Sequence, residues 1–275
     1  MKEQSERYAS DVTPSSWTFT IWSVIYAWQG LWVVYSLVNL CRLGPRGPVC
    51  TSPAFLPPAL FVLSLGIYGS NVVWLVLFDR DEIVASSVVL IVYSIFLYLA
   101  LAASYVALDR SCRLLLQQRQ RTDVWLTRLL VHNSLGLQAG WVTVATAVNI
   151  SIWMTYDTDP AIERETSGTA VLGILSVELL FFAVTDLFVF DRYSRYTFTP
   201  YAAVIVGMAG VVDKNYVEGE RNSIFSVTLL SVACIFLFLK ICLASYWHTT
   251  KPRYGETSPD SKQRQVLPHF QGFVA

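Results

Sequence analysis

The chain has 275 residues, of which 54% are hydrophobic and only 15% charged. Soluble domains carry about a quarter charged residues, so a water-soluble globule is excluded and a lipid bilayer becomes the expected partner. Lys plus Arg number 20 and Asp plus Glu number 20, so there is no basic surplus and no nucleic acid is expected as partner.

The N-terminal segment 1–15, MKEQSERYASDVTPS, is polar and lacks an apolar core of the signal-peptide kind. The first span is therefore expected to act as its own insertion signal. Seven apolar stretches follow, at about 16–40, 55–78, 83–107, 129–154, 168–190, 196–212 and 223–246. About 20 helical residues cross the ~30 Å hydrocarbon core. The expected fold class is all-α: a polytopic membrane helix bundle of about seven transmembrane helices.

The first stretch holds Trp17, Trp22, Trp28 and Trp32, with Trp22, Tyr26 and Gln29 on one face and Pro14-Ser-Ser as a start signal. Leu43-Gly-Pro-Arg-Gly-Pro48 breaks it. The second stretch sets Tyr68, Asn71, Trp74 and Phe78 along one side and leaves through a tight charged hairpin, Asp79-Arg-Asp-Glu82. The third is Val/Leu/Ile-rich and shows no chemistry. Behind it lies the longest arginine run, 109–128, expected to continue as a short helix beyond the membrane.

The fourth stretch, His132–Trp153, carries no carboxylate and no Lys or Arg. At about 100° per residue, Gln138, Trp141, Ala145, Asn149 and Trp153 share one face. Such groups on a membrane helix turn toward neighbouring helices. Two readings stay open: a ligand wall, or ordinary packing with Trp153 as an interfacial anchor. An acidic connection, 157–165, follows.

The fifth stretch contains two intramembrane acidic residues, Glu178 and Asp186. Such groups are expensive in lipid and usually face protein or a water-filled cavity. Glu178, nearer mid-span, is expected to face protein and touch the 132–153 helix or a neighbour. Asp186 lies near the Asp191-Arg192 end, where water is within reach. The sixth stretch is the shortest and holds Pro200, Gly207 and Gly210. In the last, Lys240 sits near the span end and is expected to snorkel to the headgroups. Cys234 and Cys242 are expected to be buried apolar residues. The tail after Trp247 is polar and expected to be disordered.

Three motifs occur in order. Trp17-Thr-Phe-Thr-Ile-Trp22-Ser-Val-Ile-Tyr26 is followed by Gly30; Asn71-Val-Val-Trp74 is followed by an apolar run; and Trp141, Ala145, Asn149 and Trp153 lie at helical spacing. Over about residues 14–154 these resemble the second, third and last helices of the translocator protein family, also called tryptophan-rich sensory proteins. The family's first helix has no counterpart, its two second-helix Trp are one residue closer here, the basic residue after the final Trp is absent, and about 120 residues follow. The chain thus looks like a distant, enlarged member. The expected division is a polar head at 1–15, a four-helix translocator-like module at 16–154, three further helices at 155–246, and a cytoplasmic tail at 247–275.

The resemblance implies binding, transport or sensing of an apolar or planar aromatic molecule, of the tetrapyrrole or sterol class. Porphyrin or haem would be its ligand, and no other cofactor is indicated. The ligand-binding residues implied are Trp22, Tyr26, Asn71, Trp74, Trp141, Ala145 and Asn149, with Gln138 and Trp153 added from the shared face. The alternative is a seven-helix receptor- or transporter-like protein coupled to ions or protons through Glu178. A third reading, also implied by the resemblance, is a membrane enzyme that degrades porphyrin. No nucleophile triad, phosphate loop or metal-ligand spacing is present, so no catalytic and no metal residues are assigned. A homo-oligomer stays open as a partner. With the N-terminus outside or lumenal, thirteen Lys and Arg fall in cytoplasmic segments against six outside, which sets the expected orientation.

Overall fold

A computed structural model describes residues 7–8, 10–44, 47–49 and 53–252. The expected disorder of the tail concerns residues 253–275, which lie outside the described residues. Seven long helices follow one another: α1 Ser16–Cys41, α2 Pro58–Asp79, α3 Ile83–Gln117, α4 Arg121–Tyr156, α5 Arg164–Val189, α6 Thr199–Asn215 and α7 Arg221–Thr250. Six are long and apolar enough to cross a membrane; α6, with 17 residues, is the exception. At ~1.5 Å per residue it reaches about 25 Å, a little short of the hydrocarbon core. The molecule is therefore the expected all-α polytopic membrane bundle. Its only sheet among the described residues is a two-residue ladder, Leu43–Gly44 with Gly47–Pro48, in the connection that breaks α1.

α4 is the centre of the bundle. In its most apolar window 72% of residues are buried, against 22–39% for the other five spans, so only α4 is walled off from lipid on nearly all sides. Around it pack α1, α3, α5 and α6, while α2 lies on α3 and α7 lies on α5 and α6. The other helices keep one apolar side outward, with Val34, Leu65, Ile95, Phe181 and Phe238 among the exposed residues. Such a surface belongs against acyl chains, where burial in protein is no better than contact with lipid. The arginine run is helical on both sides of a turn. Its first part extends α3 to Gln117, and its last part opens α4 at Arg121, with a turn at Arg119 (φ 60°) between them.

Small residues let α4 and α6 approach closely. A Cβ placed on Gly140 would lie 2.5 Å from the Pro200 carbonyl oxygen, and one on Gly207 would lie 2.9 Å from Val144 Cγ1, while Gly210 brings α6 equally close to Thr18 on α1. Pro200 stands in the first turn of α6, where its missing N–H costs no helix bond. Because Gly140 meets backbone, which cannot rotate away, Gly140→Ala is expected to destabilise the bundle by about 1–3 kcal/mol. Thermal unfolding in detergent measures this, and an unchanged transition would contradict the close α4–α6 contact.

Polar contacts sort the connections into two ends. At one end Arg7 pairs with Asp81 (2.7 Å), Arg164 pairs with Asp11 (2.6 Å) and Asn222 donates to Asp11 (3.1 Å). At the other, Arg192 pairs with Asp109 (2.7 Å), Arg195 donates to the carbonyls of Trp247 (3.2 Å) and Lys251 (3.0 Å), and Arg42 pairs with Asp123. The residues before α1 and the end of α7 thus lie at opposite ends of the bundle.

Candidate functional site

Three indoles meet where α1, α2 and α4 converge. Trp22 stacks on Trp74 with ring centroids 5.9 Å apart and meets Trp141 edge-on at 6.3 Å. Phe19 closes on Trp141 at 6.1 Å, and Phe78 stacks on Trp74 at 5.9 Å. Beside them lies a cavity of about 50 Å³, walled by these rings together with Ala145 and Asn149. The small Ala145 side chain leaves space next to Trp141. The lining is almost wholly apolar, and Asn149 turns its amide away, donating to Ser86 (2.6 Å) and Ser87 (3.1 Å) on α3.

The indole nitrogens of Trp22, Trp74 and Trp141 are all buried and donate to nothing. The Asn71 amide nitrogen, one turn before Trp74, is likewise unpartnered, although its oxygen accepts from the Tyr26 hydroxyl at 2.9 Å. Four buried donors without acceptors in one region is costly, since each forfeits roughly 1–3 kcal/mol of hydrogen bonding. Two other indoles are satisfied: Trp32 donates to Gln29, and Trp17 to Asp213 at 3.0 Å.

The sequence-assigned residues divide into three groups. Trp22, Trp74, Trp141, Ala145 and Asn149 line one cavity. Tyr26 and Asn71 stand next to it, Tyr26 stacked on Trp22 at 5.5 Å. Gln138 and Trp153 do not reach it. Gln138 is fully buried in a separate polar cluster, where it accepts from Gln29 (2.6 Å) and donates to Tyr93, and where Tyr68 also bonds Gln29 (3.2 Å). Trp153 is 36% exposed, as suits an interfacial anchor. Gln138 is held on another side of α4 by Gln29 and Tyr93, and Trp153, although its sequence neighbour Ile152 lines the cavity, turns to the surface. The cavity also takes in Phe19, Val144, Val148 and Ile152, which motif reading missed. Helical spacing from Trp141 was the available signal for the last three.

Three expectations about charge are corrected. Glu178 does not turn into the protein; its side chain is exposed on the surface of α5. The neighbouring Leu175 and Leu179 take the inward positions, which leaves residue 178 on the outer side of the turn. Lys240 does not snorkel. It is 2% exposed and its Nζ lies 2.9 Å from Asp186 Oδ2. The Tyr201 hydroxyl donates to the same carboxylate at 2.8 Å, so Asp186 is buried among three helices and does not open to water. Asp186 lies on a π-helical turn, Thr185–Val189, that ends α5. Cys234 and Cys242 are exposed on the lipid side of α7, not buried.

Among the described residues no group of three or more His, Cys, Asp or Glu could hold a metal ion. Buried His132 instead shares a hydrogen bond with Ser104 (3.1 Å) and meets the Tyr105 ring edge-on at 4.5 Å.

The bundle defines a class, the multi-pass helical membrane proteins. Within that class, the family model described as TSPO-like protein matches residues 1–247. The chain belongs to this TSPO-like family, and the match runs well past the stretch 14–154 that carries the motifs. No curated protein and no solved structure matches it.

Proposed function

We propose that the chain binds an apolar, planar molecule bearing hydrogen-bond acceptors in the cavity between α1, α2 and α4. The observation that carries this reading is the set of unpaired donors on Trp22, Trp74 and Trp141, whose side chains line one apolar space, with a fourth on Asn71 one turn before Trp74. Flat indole faces suit a ring system, and donors without acceptors favour a ligand with carboxylate or carbonyl oxygens. A tetrapyrrole with carboxylates has that chemistry. A sterol, with one hydroxyl, would satisfy fewer of the donors. At about 50 Å³ the cavity is far below the roughly 300–1,000 Å³ of drug-sized sites, so binding requires the indoles to separate.

Titrating protoporphyrin IX against the purified protein, read by tryptophan quenching, tests this. Trp22→Phe and Trp74→Phe keep a ring and remove the N–H. Each is expected to weaken binding about tenfold, on the order of 1.4 kcal/mol for one hydrogen bond to a charged group. Wild-type affinity in both variants would sink the reading. Illumination with the pigment's absorbance followed over time separates a binder from a degrader.

A second reading is coupling of ion or proton movement to the bundle. Glu178, at the surface, offers it no enclosed path, whereas the Asp186–Lys240 pair has the burial and partners that an intramembrane charge site needs. In liposomes the double variant Asp186→Asn/Lys240→Met should remain folded and lose proton flux; unchanged flux would dismiss this reading.

For orientation, the end holding 109–128 and α7's last turn is proposed to face the cytoplasm, because Lys and Arg concentrate there. Single cysteines at Arg121 and at Glu220 should then label from opposite sides, with Arg121→Cys cytoplasmic. The reverse pattern would invert the topology.

A further inference from the structure

A groove of about 510 Å³ runs along the outer surface between α2 and α3, far from the tryptophan cavity. Its walls are Leu63 on α2 and Leu99, Ala103 and Ala107 on α3, and its mouth is formed by Pro57 and Arg110. The alanines create it: across from Leu63, α3 presents side chains too short to fill the space between the helices. From Leu99 to Arg110 is eleven residues, or about 16 Å along α3. That is the depth of one leaflet of a ~30 Å hydrocarbon core.

We propose that this groove holds an anionic phospholipid, with one acyl chain between α2 and α3 and its phosphate at Arg110. Three features favour an anion at the mouth. The Arg110 side chain is exposed at the apolar boundary, and Arg113 one turn on is exposed as well. Pro57 immediately precedes α2, so the positive end of that 22-residue helix points at the same place. The bundle end to which Arg110 belongs also carries most of the arginines of the connections, and a basic pocket between transmembrane helices is a site for acidic headgroups. A zwitterionic lipid would fill the groove equally well but would gain nothing from its mouth.

The test uses the full-length protein in detergent, incubated with an equimolar mixture of phosphatidylglycerol and phosphatidylcholine and analysed by native mass spectrometry. Wild type is expected to retain phosphatidylglycerol in preference. Arg110→Gln should lower that preference about fivefold, the effect of one arginine near a charged lipid surface. Arg121→Gln, an exposed arginine at the same end but outside the groove, should leave it unchanged. Ala103→Phe, which fills the groove, should remove the retained lipid of either kind. Arg110 and Arg121 are both exposed, so neither variant burdens folding; circular dichroism checks this. Equal retention of the two lipids by wild type overturns the proposal. So does an unchanged preference in Arg110→Gln, an equal loss in Arg121→Gln, or full lipid retention by Ala103→Phe.

Discussion

Lys240→Met is expected to destabilise the bundle by about 3–5 kcal/mol, because it strands the Asp186 carboxylate inside the protein without its cation. The pair is closed on all sides: Lys240 and Asp186 side chains are 2% and 4% exposed, and the third partner, Tyr201, is fully buried. Asp186→Asn should do comparable damage by stranding the ammonium. The double variant Asp186→Asn/Lys240→Met removes both charges at similar volume and should lie much nearer wild type, since neutral replacement of a buried pair is often neutral or stabilising. Tyr201→Phe deletes one donor and should cost only about 1 kcal/mol. Unfolding in mixed micelles, followed by tryptophan fluorescence, supplies all four values. Additive losses in the double variant would show that the two charges do not depend on each other.

Trp141→Ala should destabilise the ligand-free protein by about 3–5 kcal/mol, the range for deleting a large buried aromatic side chain. Trp141 is 2% exposed, and its indole is the edge against which both Phe19 and Trp22 rest. Removing it opens a void continuous with the existing cavity, and lipid cannot fill it because α4 is enclosed by other helices. Trp141→Phe keeps most of that contact and should lose much less. It also removes an N–H that has no partner, which offsets part of the loss. Thermal unfolding of the two variants separates packing from hydrogen bonding. Equal stability of Trp141→Ala and wild type would mean that the three-indole contact does not hold the helices together.

Much of this molecule could be read from the chain. Seven helices were expected from seven apolar stretches, because in lipid a backbone must satisfy its own hydrogen bonds and a run of about 20 apolar residues has few alternatives to helix. The residues that line the cavity from α1, α2 and α4 were legible for a related reason. Trp22, Trp74, Trp141, Ala145 and Asn149 belong to motifs with helical spacing, so each helix offers its group on one face before any helix is docked. The inward direction of α4 was visible too, since Gln138 and Asn149 are polar groups that lipid cannot satisfy.

What the sequence left open was the pairing of faces across helices. An amphipathic argument says which side of a soluble helix is buried, but in a bilayer the outer side is also apolar and the contrast disappears. Glu178 and Asp186 illustrate this. Both are carboxylates in one apolar stretch, and local sequence set Glu178 against protein and Asp186 within reach of water; the docking of α6 and α7 on α5 instead put Asp186 between Tyr201 and Lys240 and left Glu178 outside. Lys240 looked like a residue at a span end because its own helix says nothing about what faces it. Likewise, that the donors of Trp22, Trp74 and Trp141 go unpaired depends on the distances between three helices. The sequence by itself determined the helices, their number and the chemistry each one carries. Only the tertiary structure decided which groups meet, because a contact between helices is fixed by close packing at positions such as Gly140 and Gly210, a property of two surfaces together that neither helix holds alone.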